Sequence, residues 1–141
     1  TPLKIKKLHT DAKVPTKGHP GDAGIDFYAL EEVVFAPGGQ MRVRTGIALE
    51  IPPGHVGLVW DKSSISFNNG LKVVGGVIDA GFRGELTISM VNLSHEVQTI
   101  AAGQKFTQML IQKFEDCEIL EVDELSDTAR GAGREGSTGK Y

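Results

Sequence analysis

Apolar residues fall at every second position in several short stretches of the chain. Leu3-Lys4-Ile5-Lys6, Met41-Arg42-Val43-Arg44-Thr45 and Ile47-Ala48-Leu49-Glu50-Ile51 alternate in this way, which predicts strands with one wet face. Residues 56–60, 86–91, 106–114 and 118–122 read as further strands. Turn signals separate them: Pro37-Gly38-Gly39, Pro52-Pro53-Gly54, Asn68-Asn69-Gly70 and Ala101-Ala102-Gly103. The one helix candidate is Ser63–Asn69, whose serines suit an N-cap and which Gly70 follows at a C′ position. Many short strands with so little helical periodicity predict an all-β sandwich or barrel-like fold.

Within this pattern, residues 73–85 stand out. Val73-Val74-Gly75-Gly76-Val77-Ile78-Asp79-Ala80-Gly81-Phe82-Arg83-Gly84-Glu85 sets two glycines and a β-branched pair before a carboxylate and an aromatic ring. It predicts a hairpin whose glycines allow close backbone approach or φ > 0. Alone, it reads better as an ordinary hairpin with an Asp in its turn.

Composition narrows the function classes. The 141 residues suffice for one domain with a real core. A net charge of −3 gives no global basic field for nucleic acid or an anionic membrane. Any anionic ligand must then be held by local groups. The single Cys117 excludes an internal disulfide and multi-cysteine metal sites, and its acidic neighbours argue against a catalytic thiolate. No stretch has the length of a membrane span and no apolar leader opens the sequence, so a soluble, cytoplasmic protein is expected. The segment 126–141 changes character: glycines, hydroxyls and two arginines without large aliphatics predict a flexible arm. The same groups also suit an arm that orders around an anion.

Four more clusters carry candidate chemistry. Asp22-Ala23-Gly24-Ile25-Asp26 places two carboxylates at a strand start, either solvated or holding Mg²⁺. Asp61-Lys62-Ser63-Ser64 brings a cation and hydroxyls to a helix start, where anions are favoured. Gly103-Gln104-Lys105-Phe106-Thr107-Gln108 is a polar turn into a strand, and the glycine arm is the fourth. Walker, HExxH, paired CxxC and Gly-x-Ser-x-Gly patterns are all missing, and the histidines at 9, 19, 55 and 95 are scattered.

Taken in order, the five clusters resemble the five motifs of the trimeric deoxyuridine triphosphatase (dUTPase) family. Ala23-Gly24-Ile25-Asp26 is similar to the first and Lys62-Ser63-Ser64 to the second. Gly76 to Gly84 is similar to the third, Gly103 to Gln108 to the fourth, and Arg130-Gly131 with Gly136-Ser137-Thr138-Gly139 to the fifth. The resemblance implies a jelly-roll (β-clip) domain over residues 1–125 and an arm, 126–141, closing over an active site. It implies a homotrimer with sites at subunit boundaries, and no nucleic-acid or membrane partner. The implied reaction is Mg²⁺-dependent hydrolysis of dUTP to dUMP and pyrophosphate, which limits uracil in DNA and supplies dUMP for dTMP synthesis.

The implied roles follow residue by residue. Asp79 would be the general base that activates water at the α-phosphorus. Gly76 and Val77 would meet the uracil edge and Phe82, in place of the usual Tyr, the deoxyribose. Lys62, Ser63, Ser64, Gln108, Arg130, Gly136, Ser137 and Thr138 would hold the phosphates, and Asp26 would position Mg²⁺ through water. The chain departs from the family pattern at Lys62 and Lys105, where Arg is usual, and at Glu135, which aligns with the aromatic that stacks on uracil. Two rivals remain. A dCTP deaminase would need a glutamate where Ser89 stands and an arginine where Val77 stands. A non-catalytic trimeric nucleotide-binding regulator would not need Asp79.

Overall fold

The structure, a computed structural model, describes residues 1–133 and 139. Ten strands and one helix follow in chain order: β1 (Lys4–Lys7), β2 (Ile25–Tyr28), β3 (Val33–Phe35), β4 (Gln40–Glu50), β5 (His55–Asp61), α1 (Ser63–Asn69), β6 (Leu71–Val74), β7 (Val77–Ile78), β8 (Glu85–Asn92), β9 (Gln98–Ile100) and β10 (Lys105–Lys113). They form two four-stranded sheets, β1-β4-β8-β6 and β2-β10-β5-β7, and a β3-β9 pair, with every pairing antiparallel. This is the all-β architecture that the alternation predicts, of the jelly-roll type that the resemblance implies.

Burial alternates along β8, which puts Leu86, Ile88 and Met90 into the core. There they meet Phe27, Phe35, Val43, Ile47, Ile100, Phe106 and Met109, all at or near zero exposure. Removal of so much apolar surface from water is the main stabilising contribution. The buried polar groups are matched. Asn92 donates through Nδ2 to the carbonyls of Phe35 (3.2 Å) and Glu96 (2.8 Å), and its Oδ1 accepts from the Ser94 N–H and hydroxyl. Among the described residues no helix is long and apolar enough to cross a membrane.

Four expectations need correction. The 73–85 hairpin does not form: β6 pairs with β8 and β7 pairs with β5, so the chain changes sheets at Gly75-Gly76. Both glycines have positive φ, 82° and 126°, which a side chain would resist. The alternating stretches 41–45 and 47–51 are one strand, β4, bent where its register with β8 shifts between Arg44 and Ala48 and Gly46 adopts φ 67°. The helix spans the predicted residues and ends on Gly70 at φ 65°, but its N-cap is Lys62 rather than a serine, with no side-chain cap. Residues 118–122 form no strand. Their pattern is strand-like, yet among the described residues no neighbouring strand offers a ladder, and Ile119 is 95% exposed.

The bend in β4 is tied by Glu85, whose carboxylate accepts from Arg44 Nε at 3.1 Å and from the Gly46 N–H at 3.1 Å. The Arg44 hydrogen bond, then the Gly46 bond and the Arg44 charge, hold the Glu85 carboxyl below the usual range against the opposing effect of burial. A carboxyl lowered on folding adds stability above its unfolded value, about 4.3, and loses it as pH falls through the folded value. Glu85→Gln is therefore expected to lower Tm by a few degrees at pH 7, with the gap narrowing below about pH 4. Thermal melts at the two pH values check this; an unchanged gap would refute the linkage.

Candidate functional site

The middle of the second sheet builds one polar cavity. Asp26 on β2 is paired with Gln108 on β10, which is paired in turn with Trp60 on β5. This register brings Asp26 and Gln108 beside Lys62, two residues past Trp60. With Lys105, Gly24 and His19 they line a cavity of about 430 Å³. Asp26 is buried at 5% exposure and accepts from Lys62 Nζ at 2.9 Å, while Lys105 Nζ lies 3.7 Å from its other oxygen. Gln108 donates through Nε2 to the Asp61 carbonyl at 2.9 Å. A Cβ on Gly24 would lie 2.0 Å from Gln108 Oε1, so any side chain there would push the Gln108 amide out of its present position.

Electrostatically, two ammonium groups share one enclosed carboxylate, and a phosphate could take up the excess positive charge. Ser63 and Ser64 stand exposed in the first turn of α1, with their hydroxyls free of the capping role. Sequence reading missed the part played by Asp61. Its carboxylate accepts from Lys72 Nζ and from the Val73 N–H at 2.7 Å, which pins the end of β5, and hence Lys62, to β6. A carboxylate just before a cation reads as local charge balance, so no linear signal marks this long-range tie.

Mg²⁺ prefers one or two carboxylates plus phosphate oxygens and water. Among the described residues no group of three or more His, Cys, Asp or Glu side chains could cage an ion. One enclosed carboxylate in a polar cavity fits an ion that arrives with phosphate, and does not fit a preformed all-protein site.

Asp79, Phe82 and Gly76 lie elsewhere. The Gly76 carbonyl accepts from the Val59 N–H at 2.8 Å, and a Cβ on Gly76 would lie 2.8 Å from the Val59 carbonyl oxygen. Gly76 and Val77 line a second cavity of about 170 Å³ together with Trp60 and Lys72. Asp79 follows β7 directly and its carbonyl accepts from the Phe82 N–H at 3.1 Å, which closes a turn. The Phe82 ring lies over Gly84, where a Cβ would approach Cζ to 2.7 Å. Arg83 Nη1 donates to the Ala80 carbonyl at 2.6 Å and stiffens the same turn.

Gly76 stays near the Trp60 end of β5, bonded to Val59, but Asp79 lies further along the strand. Ile78 is opposite Gly57, so Asp79 lies level with Val56, whereas Asp26 lies level with Trp60. Four strand residues separate those levels, about 13 Å at ~3.3 Å per residue. One chain does not bring Asp79 to the lysine cavity. Arg130 joins neither group, and its Nε donates to the Gly133 carbonyl at 2.5 Å. Gly136, Ser137 and Thr138, with Glu135, lie outside the described residues.

A model of the dUTPase family matches residues 10–139. The deoxyuridine 5'-triphosphate nucleotidohydrolase of Nocardia farcinica is 41% identical over 146 residues, spanning 100% of this chain and 87% of the relative. That of Corynebacterium glutamicum is 43% identical over 141 residues, with 98% and 95% covered. Among solved structures, a Staphylococcus bacteriophage 80alpha dUTPase mutant with dUpNHpp has a TM-score of 0.93 at 28% identity, covering 99% of both chains. A mutant dUTPase from phage phi11 of S. aureus, described for the coordination of a structural Mg(II) ion, gives 0.85 at 27% identity, covering 90% of this chain and 100% of that one.

Proposed function

Because the chain belongs to the dUTPase family, we propose that it hydrolyses dUTP to dUMP and pyrophosphate at sites that more than one copy of the chain completes. The carrying observation is the separation, along β5, of Asp79 from the cavity that holds Asp26, Lys62 and Gln108. The base candidate Asp79 and the phosphate candidates Lys62 and Gln108 belong to one reaction, yet about 13 Å of strand separates their levels within a chain. A homotrimer, with residues 1–125 as its body and the 126–141 arms closing its sites, unites them.

In this reading Asp79 takes a proton from water as the water oxygen bonds to the α-phosphorus. The bond from that phosphorus to the bridging oxygen breaks, and pyrophosphate leaves. Exposure of Asp79 on a stiff turn suits it to this task. Phe82 packs against the deoxyribose with the exposed ring that lies over Gly84. The bare Gly76 lets the uracil edge meet main chain at Gly76 and Val77, and hydrogen-bond polarity there discriminates strongly between bases. Lys62, Ser63, Ser64 and Gln108 grip phosphate oxygens, joined by Arg130, Gly136, Ser137 and Thr138 from the arm. Asp26 would hold Mg²⁺ through water, and the ion supplies charge neutralisation on the phosphate oxygens. Positioning and electrostatics thus supply most of the rate.

Pyrophosphate release from a panel of dUTP, dCTP, dTTP and UTP, with and without Mg²⁺, tests the reading. Turnover of dUTP is expected to exceed that of each other nucleotide by at least ~10²-fold and to collapse on chelation. Ammonia from dCTP, or equal use of UTP, would overturn it.

A further inference from the structure

Within the cavity, the Asp26 side chain is only 7% exposed and lies against two cations. An enclosed carboxylate needs a counter-charge, and Lys62 supplies it at 2.9 Å. A hydrated divalent cation at the same carboxylate would stand beside the ammonium group and repel it. Lys62 is the partner able to leave. Its backbone is fixed at the helix N-cap, while its side chain, 28% exposed on a flexible stem, borders the cavity in which the phosphate candidate Gln108 stands beside Lys105.

We infer that Lys62 is the exchangeable counter-ion of Asp26, occupying the carboxylate until a triphosphate draws it away and the divalent cation takes its place. The inference rests on the reading of Asp26 as the residue that positions Mg²⁺, and adds an order of events. The chain without nucleotide resists the cation, because Asp26 is already neutralised. The triphosphate offers Lys62 a new anionic partner and carries the cation in with it. Lys105, at 3.7 Å, stays as a weaker neighbour that spares Asp26 from standing uncompensated during the exchange. Lysine suits this role because a point charge on a four-carbon stem releases a carboxylate more readily than a guanidinium fork does.

The test is Mn²⁺ alone, titrated into the full chain without nucleotide and followed by the EPR signal of the free ion. Lys62→Met keeps the stem without the charge and is expected to bind Mn²⁺ about tenfold more tightly than the unaltered chain. Adding Asp26→Asn to that variant is expected to abolish the gain. Lys62→Arg keeps the charge and grips bidentately, so it should bind the ion a few-fold more weakly; it remains informative if the Met variant fails to fold. Equal Mn²⁺ affinity across these chains would overturn the exchange. The same titration with a non-hydrolysable dUTP analogue separates the two readings. If Asp26→Asn weakens Mn²⁺ binding there while the Lys62 variants match in nucleotide-free titrations, only the exchange falls. If Asp26→Asn changes nothing with the analogue present, the magnesium role of Asp26 falls and the exchange with it.

Discussion

Asp79→Asn is expected to cut pyrophosphate release by ~10³-fold or more while dUTP still binds within a few-fold of its original affinity. The substitution keeps size and polarity and removes the ability to accept a proton from water. It should leave the fold alone, because Asp79 is exposed and only its backbone carbonyl closes the turn to Phe82. Among the described residues its side chain takes part in no ion pair, and the Arg83 bond to Ala80 holds the turn independently. An unchanged Tm with lost kcat and retained analogue binding is therefore the signature of a base. If kcat stays within tenfold, Asp79 is a turn residue and another group activates the water. If binding is lost as well, Asp79 holds substrate instead of attacking water.

How much of this was legible in the sequence depends on the range of the interaction. The alternation of β8 and the Asn68-Asn69-Gly70 end of α1 are local properties, and both elements form where the pattern puts them. The five clusters were likewise legible as ordered short motifs. A glycine pair between β-branched runs reads the same whether the chain folds back on itself or crosses to another sheet. Only the ladders of β6 with β8 and β7 with β5 decide that Gly75-Gly76 is a crossing. The Lys62–Asp26 pair joins positions far apart in sequence, and nothing near either residue announces the other. For residues 118–122 the local pattern is sound but no partner strand exists among the described residues, so a strand-like sequence stays unpaired and exposed.

Truncation after Leu125 is the second large effect, expected to reduce kcat by ~10²-fold or more through loss of Arg130, Ser137 and Thr138. Stability should not follow, since the described residues from Gln112 onward are exposed and the core ends within β10. Where the arm goes is argued from the segment before it. Ile119, Leu120, Val122 and Leu125 are between 55% and 95% exposed, and none of the described residues covers them. Apolar side chains so placed call for a second surface, and in the proposed homotrimer another copy of the chain would supply it. In that assembly the arm would reach a site whose Asp79 belongs to a different copy. Co-refolding Asp79→Asn chains with truncated chains in equal amounts is expected to restore activity that neither has alone. In a random mixture roughly one site in four would combine an intact Asp79 with an intact arm. If base and arm came from the same chain, no mixed assembly would regain a complete site and activity would stay at the level of the separate variants. Restoration near that fraction, measured as pyrophosphate release from dUTP, separates an arm that serves a neighbour from one that folds back on its own subunit.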